Sequence, residues 1–270
     1  MKNKAITQPE TGLIEPWRVQ PPTVVLMVSP CRSGSTVMLR IFGYSGFAAF
    51  FQPIKNALRW RYMGQDRPWR APQTTRPVFV KETFGPFEDA ETQFNPLREL
   101  IRAGVPADRL KLVVLLREPS LVWSSWRSLW GEDTRIELLA EAYHACLDTV
   151  AAAQALGVGY ETLDYAACCA NPHAILGSLM QRFGHELPLD AVSGWENRPG
   201  YGAPGSGVHL PCEPEPYITH GAHDPIIASR AFGPVPPRAQ PTRADLEAIA
   251  GTDIEASHAR LSAIRGSVAA

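Results

Sequence analysis

Nineteen residues near the start of the chain, VVLMVSPCRSGSTVMLRIF from Val24 to Phe42, set a small-residue loop between two apolar runs. Val24–Val28 is short, continuous and apolar, as a buried strand is, and Ser35–Phe42 reads as the helix that follows. At a helix start the backbone N–H groups lack intrahelical partners, and the helix dipole favours negative charge. Gly34 allows close approach to the backbone. Ser33, Ser35 and Thr36 add hydroxyls, and Arg32 adds a planar, always-charged donor fork. The chemistry this pattern could do is anion binding. The same residues also suit a plain strand–turn–helix junction whose hydroxyls cap the helix.

A nucleotide triphosphatase loop, GxxxxGK[ST], fits poorly. With its second glycine on Gly34, the first becomes Ser29, the lysine becomes Ser35, and only Thr36 agrees. The strand LKLVVLL, ending at Leu116, runs into Arg117 rather than a metal-binding aspartate. Magnesium-dependent ATP or GTP hydrolysis is therefore not expected. Instead, Ser125 follows Arg117 by eight residues, on the helix begun by Pro119. Ligands of open parallel sheets bind beyond the carboxyl ends of the strands. Arg117 and Ser125 could hold a second anionic group there, apart from the first loop. The other reading is an arginine that caps a helix or pairs with Glu118.

The two motifs together resemble the sulfotransferases that use 3′-phosphoadenosine 5′-phosphosulfate (PAPS). SPCRSGST is similar to the PRSGST- or PKSGTT-like loop of that family, with Cys31 between the proline and the basic residue. REPSLVWSS is similar to the RDPxxxxxS motif, with Glu118 in the aspartate position. GYETLDYAACCANPHAILGSLMQRFG resembles the family's YEDLxxxPxxxLxxLxxFLG segment, so the likeness runs from about Val24 to Gly184. The resemblance implies a P-loop-like fold. It implies that Arg32, Ser33, Gly34, Ser35 and Thr36 hold the 5′-phosphosulfate and that Arg117 and Ser125 hold the 3′-phosphate. It also implies adenosine 3′,5′-bisphosphate as product, no metal, and a small or medium-sized acceptor hydroxyl or amine.

Sulfonate transfer is an in-line displacement in which positioning and electrostatics do most of the work, helped by a base for the acceptor proton. VFVKETF, at the end of the second predicted strand, offers Lys81 as the cation and Glu82 as the base, beside Arg32. An exposed ion pair is the competing reading, because neighbouring strand residues point opposite ways. The family's small-molecule enzymes carry a histidine two places after this lysine; Thr83 stands there. Gln52 occupies a position where some relatives place a carboxylate. Lys55, Arg59, Arg61, Arg67 and Arg70 fit either an anionic acceptor or a solvated basic face. The family's RKGxxGxW motif is absent as such; WENRPGYGAPGSG, with Arg198, is either a divergent lid or a flexible loop. His220, His223 and Asp224 match no closed zinc set and read as surface polarity. A P-loop kinase of atypical loop chemistry and a non-catalytic nucleotide binder stay open as alternatives.

These residues need a scaffold. Strand and helix alternate: strands at Val24–Val28, Val78–Lys81, LKLVVLL and VGYETL; helices over Asp89–Arg102, from Pro119, over Thr134–Leu156, Pro172–Phe183 and Arg243–Ile264. That pattern predicts an α/β, three-layer fold with a central parallel sheet flanked by helices and an irregular Pro/Gly-rich C-terminal segment. A single domain is expected over residues 1–270, with an N-terminal arm (1–22), a helix plus a long loop capping the acceptor site (44–77) and an irregular lid or loop (194–241). A length of 270 residues, 45% of them hydrophobic, allows a sizeable core. A net charge of −1 offers no global field for nucleic acid, so any anion must be held locally. Five cysteines without CxxC spacing, no signal-like start and no membrane-length apolar run predict a cytoplasmic protein. Oligomeric state is left open.

Overall fold

The computed structural model describes residues 11–131, 133–233 and 239–264. The chain runs β1 (Val24–Val28), α1 (Ser35–Tyr44), β2 (Ala48–Phe51), α2 (Pro53–Tyr62), β3 (Val78–Lys81), α3 (Ala90–Gln93), α4 (Pro96–Arg102) and β4 (Leu110–Leu116). It continues with α5 (Pro119–Trp130), α6 (Ile136–Ala155), β5 (Gly159–Asp164), α7 (Tyr165–Ala170), α8 (Pro172–Arg182), β6 (Val208–His209), α9 (Asp224–Ala228), α10 (Arg243–Ala250) and α11 (Ile254–Ala263). One six-stranded sheet has the order β5-β4-β1-β3-β2-β6, and every pairing in it is parallel.

Strand alternation sorts the core into two layers. Val24, Leu26 and Val28 face a cluster built with Leu58 of α2, Leu97 of α4, Trp126 of α5, Leu139 of α6 and Leu261 of α11. Val25 and Met27 face the other side, against Met38 and Phe42 of α1 and Leu179 of α8. All five β1 side chains are fully buried, which is why the strand reads as an unbroken apolar run. The three-layer α/β architecture is the predicted one. Among the described residues no helix is long and apolar enough to cross a membrane.

The elements depart from the expected ones in four places. Residues 44–77 hold the expected helix, α2, and a loop after it, but also a strand that was not expected: Ala48–Phe51 lies in the sheet between β3 and β6. Four residues, AAFF, show no alternation to read. The helix expected over Asp89–Arg102 is two helices. Pro96 opens the second at its first position, and the Asn95 side chain accepts from the Arg98 amide as its cap. Arg243–Ile264 likewise divides around Gly251. The Pro/Gly-rich segment contributes a strand of its own, β6, beside Ala49 and Phe50. Gly207 permits that approach: its φ is +73°, and a Cβ there would lie 2.6 Å from the Gly43 carbonyl oxygen.

Candidate active site

β1 sits at the middle of the sheet, so the loop after it opens at the sheet's carboxyl edge. The loop is fixed from both sides. The Cys31 amide donates to the Phe84 carbonyl at 3.0 Å, and Trp126 Nε1 donates to the Cys31 carbonyl at 2.7 Å. Arg32 has φ 73° and Gly34 φ 93°, both left-handed. At Gly34 any side chain would also meet the Tyr165 ring, 2.4 Å from an added Cβ. α1 starts immediately afterwards with no side-chain cap, so its first amides remain available to a ligand. The Ser33 hydroxyl is turned inward, donating to the Pro30 carbonyl at 2.8 Å. Arg32, Gly34, Ser35 and Thr36 line a cavity of about 230 Å³.

Arg117, the residue after β4, reaches the same cavity. Its Nη1 donates to the Arg32 carbonyl at 3.1 Å, and its guanidinium lies 5.7 Å from the Tyr165 ring centre. Ser125, on α5, accepts from Arg32 Nε at 3.1 Å. The structure therefore brings both sequence motifs together, with Arg32 as the joint. Arg117 and Ser125 thus stand beside Arg32 rather than apart from the first loop. Arg117 forms no ion pair with Glu118 among the described residues; the Glu118 carboxylate accepts from the Ser120 hydroxyl instead.

At the end of β3, alternation separates Lys81 from Glu82. Lys81 lines the cavity, its Nζ 3.9 Å from the Phe51 ring centre. Burial pulls its pKa down to about 7. Glu82 points behind the strand. Its two carboxylate oxygens accept from the amides of Ile54 (2.7 Å) and Lys55 (3.2 Å). Those are first-turn amides of α2, where Gln52 supplies no side-chain cap and Pro53 has no N–H. Burial pushes the Glu82 carboxyl up to about 7, opposed by those amides and by Lys55 and Lys81. Glu82 is absent from the cavity wall. The expectation that it acts as base is corrected: it caps a helix.

The basic residues of 44–77 divide. Arg61 pairs with Asp66 and Arg70 with Glu15 toward the surface. Lys55 and Arg59 are instead buried and line the cavity. Lys55 Nζ donates to Thr83 Oγ1 (3.1 Å) and the Gly85 carbonyl (2.7 Å), and lies 3.9 Å from Glu91. Thr83 in turn donates to Gln52 Oε1 at 2.6 Å. Arg59 bonds Glu91 and Glu213, each at 2.7 Å, and lies near the faces of Phe87 and Tyr217. Burial pulls the Lys55 pKa down, with Glu91 opposing. For Glu91, burial works upward, but Lys55 and Arg59 outweigh it and hold the carboxyl below its ordinary value. Nothing local in the sequence marks these partners, which lie 32 and 154 residues from Arg59.

Residues 213–226 close the other wall of the cavity. Arg32 Nη1 donates to the Ala222 carbonyl (3.2 Å), Arg40 Nη1 to the Ile226 carbonyl (2.6 Å), and Trp130 Nε1 to Thr219 Oγ1 (3.2 Å). His223 lines the cavity, so its expected place as surface polarity is corrected. Among the described residues no group of three histidine, cysteine or acidic side chains could hold a metal. WENRPGYGAPGSG lies outside the cavity wall; Arg198 pairs with Asp190.

The sequence matches no protein-family model and no curated protein. Among solved structures, the chain is similar to the sulfotransferase domain of the Synechococcus PCC 7002 olefin synthase, at 16% identity and TM-score 0.45, over 67% of this chain and 81% of that one. It is also similar to retinol dehydratase in complex with androsterone and the inactive cofactor PAP, at 19% identity and TM-score 0.37, over 62% and 61% of the two chains. A third similarity is to retinol dehydratase in a complex with retinol and PAP, at 18% identity and TM-score 0.34, over 62% of each chain.

Proposed function

We propose that the protein is a PAPS-dependent sulfotransferase acting on a hydroxyl or amine of a small or medium-sized acceptor. The observation that carries this reading is the convergence of Arg32, Arg117 and Ser125 through two 3.1 Å hydrogen bonds at the start of α1. The donor set suits an anion with two charged ends. Amides, hydroxyls and guanidinium groups are all hydrogen-bond donors, and Gly34, with φ 93° and the Tyr165 ring packed against it, supports the turn that presents them.

Arg32 and the Ser33–Thr36 turn hold the 5′-phosphosulfate, with Ser35 and Thr36 presenting hydroxyls and Ser33 bracing the turn from within. Arg117 holds the 3′-phosphate, and Ser125 keeps the Arg32 side chain aimed. The bound donor supplies an activated sulfonate whose leaving group is a phosphate oxygen. Lys81 lies where an ammonium can offset charge developing on that oxygen. The acceptor occupies the end of the cavity walled by Phe51, Phe87, Trp130 and Tyr217.

Calorimetry with adenosine 3′,5′-bisphosphate, set against ATP with magnesium, tests the reading. The bisphosphate should bind without metal and more tightly than ATP. Tighter, magnesium-dependent ATP binding would favour a P-loop kinase and remove the proposal.

A further inference from the structure

We infer that His223 is the base that takes the acceptor's proton, brought to the site by the C-terminal segment; this rests on the sulfotransferase reading. Its position follows from its neighbours. The Ala222 carbonyl accepts from Arg32 Nη1 at 3.2 Å, which ties the preceding residue to the loop that holds the sulfonate end of the donor. The imidazole packs edge-to-face on Phe51, with ring centres 5.2 Å apart. Lys81 Nζ is held over that same Phe51 ring. Arg32, Lys81 and His223 thus surround one part of the cavity, and all three line it. The backbone holds the imidazole there as well: the amides of Ile226 and Ile227 both donate to the His223 carbonyl at 2.9 Å, and α9 is clasped by Arg40.

Five other side chains in or near the cavity are engaged or unsuited as the base. Glu82 caps α2 from behind the strand. Glu213 is bonded to Arg59. Thr83 and Gln52 bond each other and have no useful basicity. Burial pushes the Tyr217 phenol up, which keeps it protonated. Imidazole is the side chain suited to accept a proton near neutral pH and pass it to water. In the step, the acceptor O–H bond breaks and its proton goes to an imidazole nitrogen. The acceptor oxygen forms a bond to sulfur while the sulfur–oxygen bond to the 5′-phosphate breaks. That electron pair stays on adenosine 3′,5′-bisphosphate, beside the Lys81 ammonium. The proton later leaves to solvent.

His223→Gln keeps size and polarity without basicity. Two measurements test it. In the wild type, adenosine 3′,5′-bisphosphate should move the His223 imidazole nitrogen resonances, because the nucleotide's charged end lies beside Arg32. With labelled PAPS, His223→Gln should lose roughly 100-fold or more in transfer to phenol, which must be deprotonated. Assayed about one pH unit above neutrality, it should lose far less with 4-nitrophenol, which is then largely ionised, and should bind the bisphosphate as the wild type does. Unmoved imidazole resonances under saturating bisphosphate overturn the inference. So does full activity of His223→Gln toward phenol, equal loss with both phenols, or a wild type that binds bisphosphate yet transfers to neither phenol. Failure of the wild type to bind bisphosphate removes the sulfotransferase reading itself.

Discussion

Arg117, after β4, and Lys81, at the end of β3, line the cavity and form no ion pair among the described residues. Lys55 and Arg59, on α2, line the same cavity, and each meets the buried carboxylate of Glu91. The first pair has carbonyl and ring partners that leave its charge uncancelled. The second pair is neutralised by the protein. Burying a cation without a counter-charge costs stability, so such a residue is kept where a ligand brings the charge. The difference is what the proposed binding of an anionic donor at the loop end requires. The α2 end is neutralised within the protein, with Arg59 also tied to the covering segment through Glu213.

The strongest way to break this comparison is to remove the counter-charge at the α2 end. Glu91→Gln leaves Lys55 and Arg59 buried with, among the described residues, only Glu213 as an acid in bonding reach. A loss of about 3–5 kcal/mol is expected in urea unfolding, typical of breaking a buried pair and a large part of a domain's stability. The pH dependence checks the cause. Glu91 titrates below its ordinary 4.5 when folded, so its contribution is complete above about pH 4.5 and disappears as pH falls through the lowered value. The variant should lose that part of the acid limb. A loss below about 1 kcal/mol would mean that Lys55 and Arg59 do not depend on Glu91.

At the loop end, Arg117→Ala should leave folding nearly intact and weaken adenosine 3′,5′-bisphosphate by roughly 10- to 150-fold, the range of a charge-assisted hydrogen bond. Adenosine 5′-phosphosulfate, which lacks the 3′-phosphate, should be affected little. Equal losses for both ligands would sharpen the comparison differently. Arg117 would then act by holding the Arg32 carbonyl at 3.1 Å rather than by touching the nucleotide.

The same contrast explains what could be read from sequence. The loop end is written in two contiguous strand–turn–helix stretches, and helix starts bind anions through backbone geometry that a few residue types disclose. Val24–Val28 and Val78–Lys81 have the predicted bounds, because fully buried parallel strands are unbroken apolar runs. The α2 end depends on pairings such as Arg59 with Glu213, which no local pattern encodes. Glu82 was legible as a carboxylate at the sheet edge. Its direction was not, because it depends on the uncapped start of α2, which itself follows a strand too short to see. Thr83 showed that one expected histidine was missing, while His223 stood 140 residues further on in a segment without periodicity.

Lys81 belongs to both halves of the comparison and gives its finest test. It is buried over Phe51, as the α2 cations are buried, but among the described residues it forms no ion pair with a carboxylate, and Glu82 and Glu213 only partly offset its burial. Burial therefore brings its pKa to about 7, and the ligand-free site carries a mixture of amine and ammonium at neutral pH. A multiply charged bisphosphate favours the ammonium, so binding above pH 7 must draw a proton from solvent. The sign follows: below about pH 7 Lys81 is already charged and affinity is flat in this group. Above it, affinity falls by no more than about tenfold per pH unit. Calorimetry in two buffers of different ionisation enthalpy should show proton uptake between pH 7 and 9. Lys81→Met should bind more weakly near pH 7 and lose most of that slope. If the slope persists in Lys81→Met, another group titrates on binding, and Lys81 lies too far from the nucleotide to serve its leaving group.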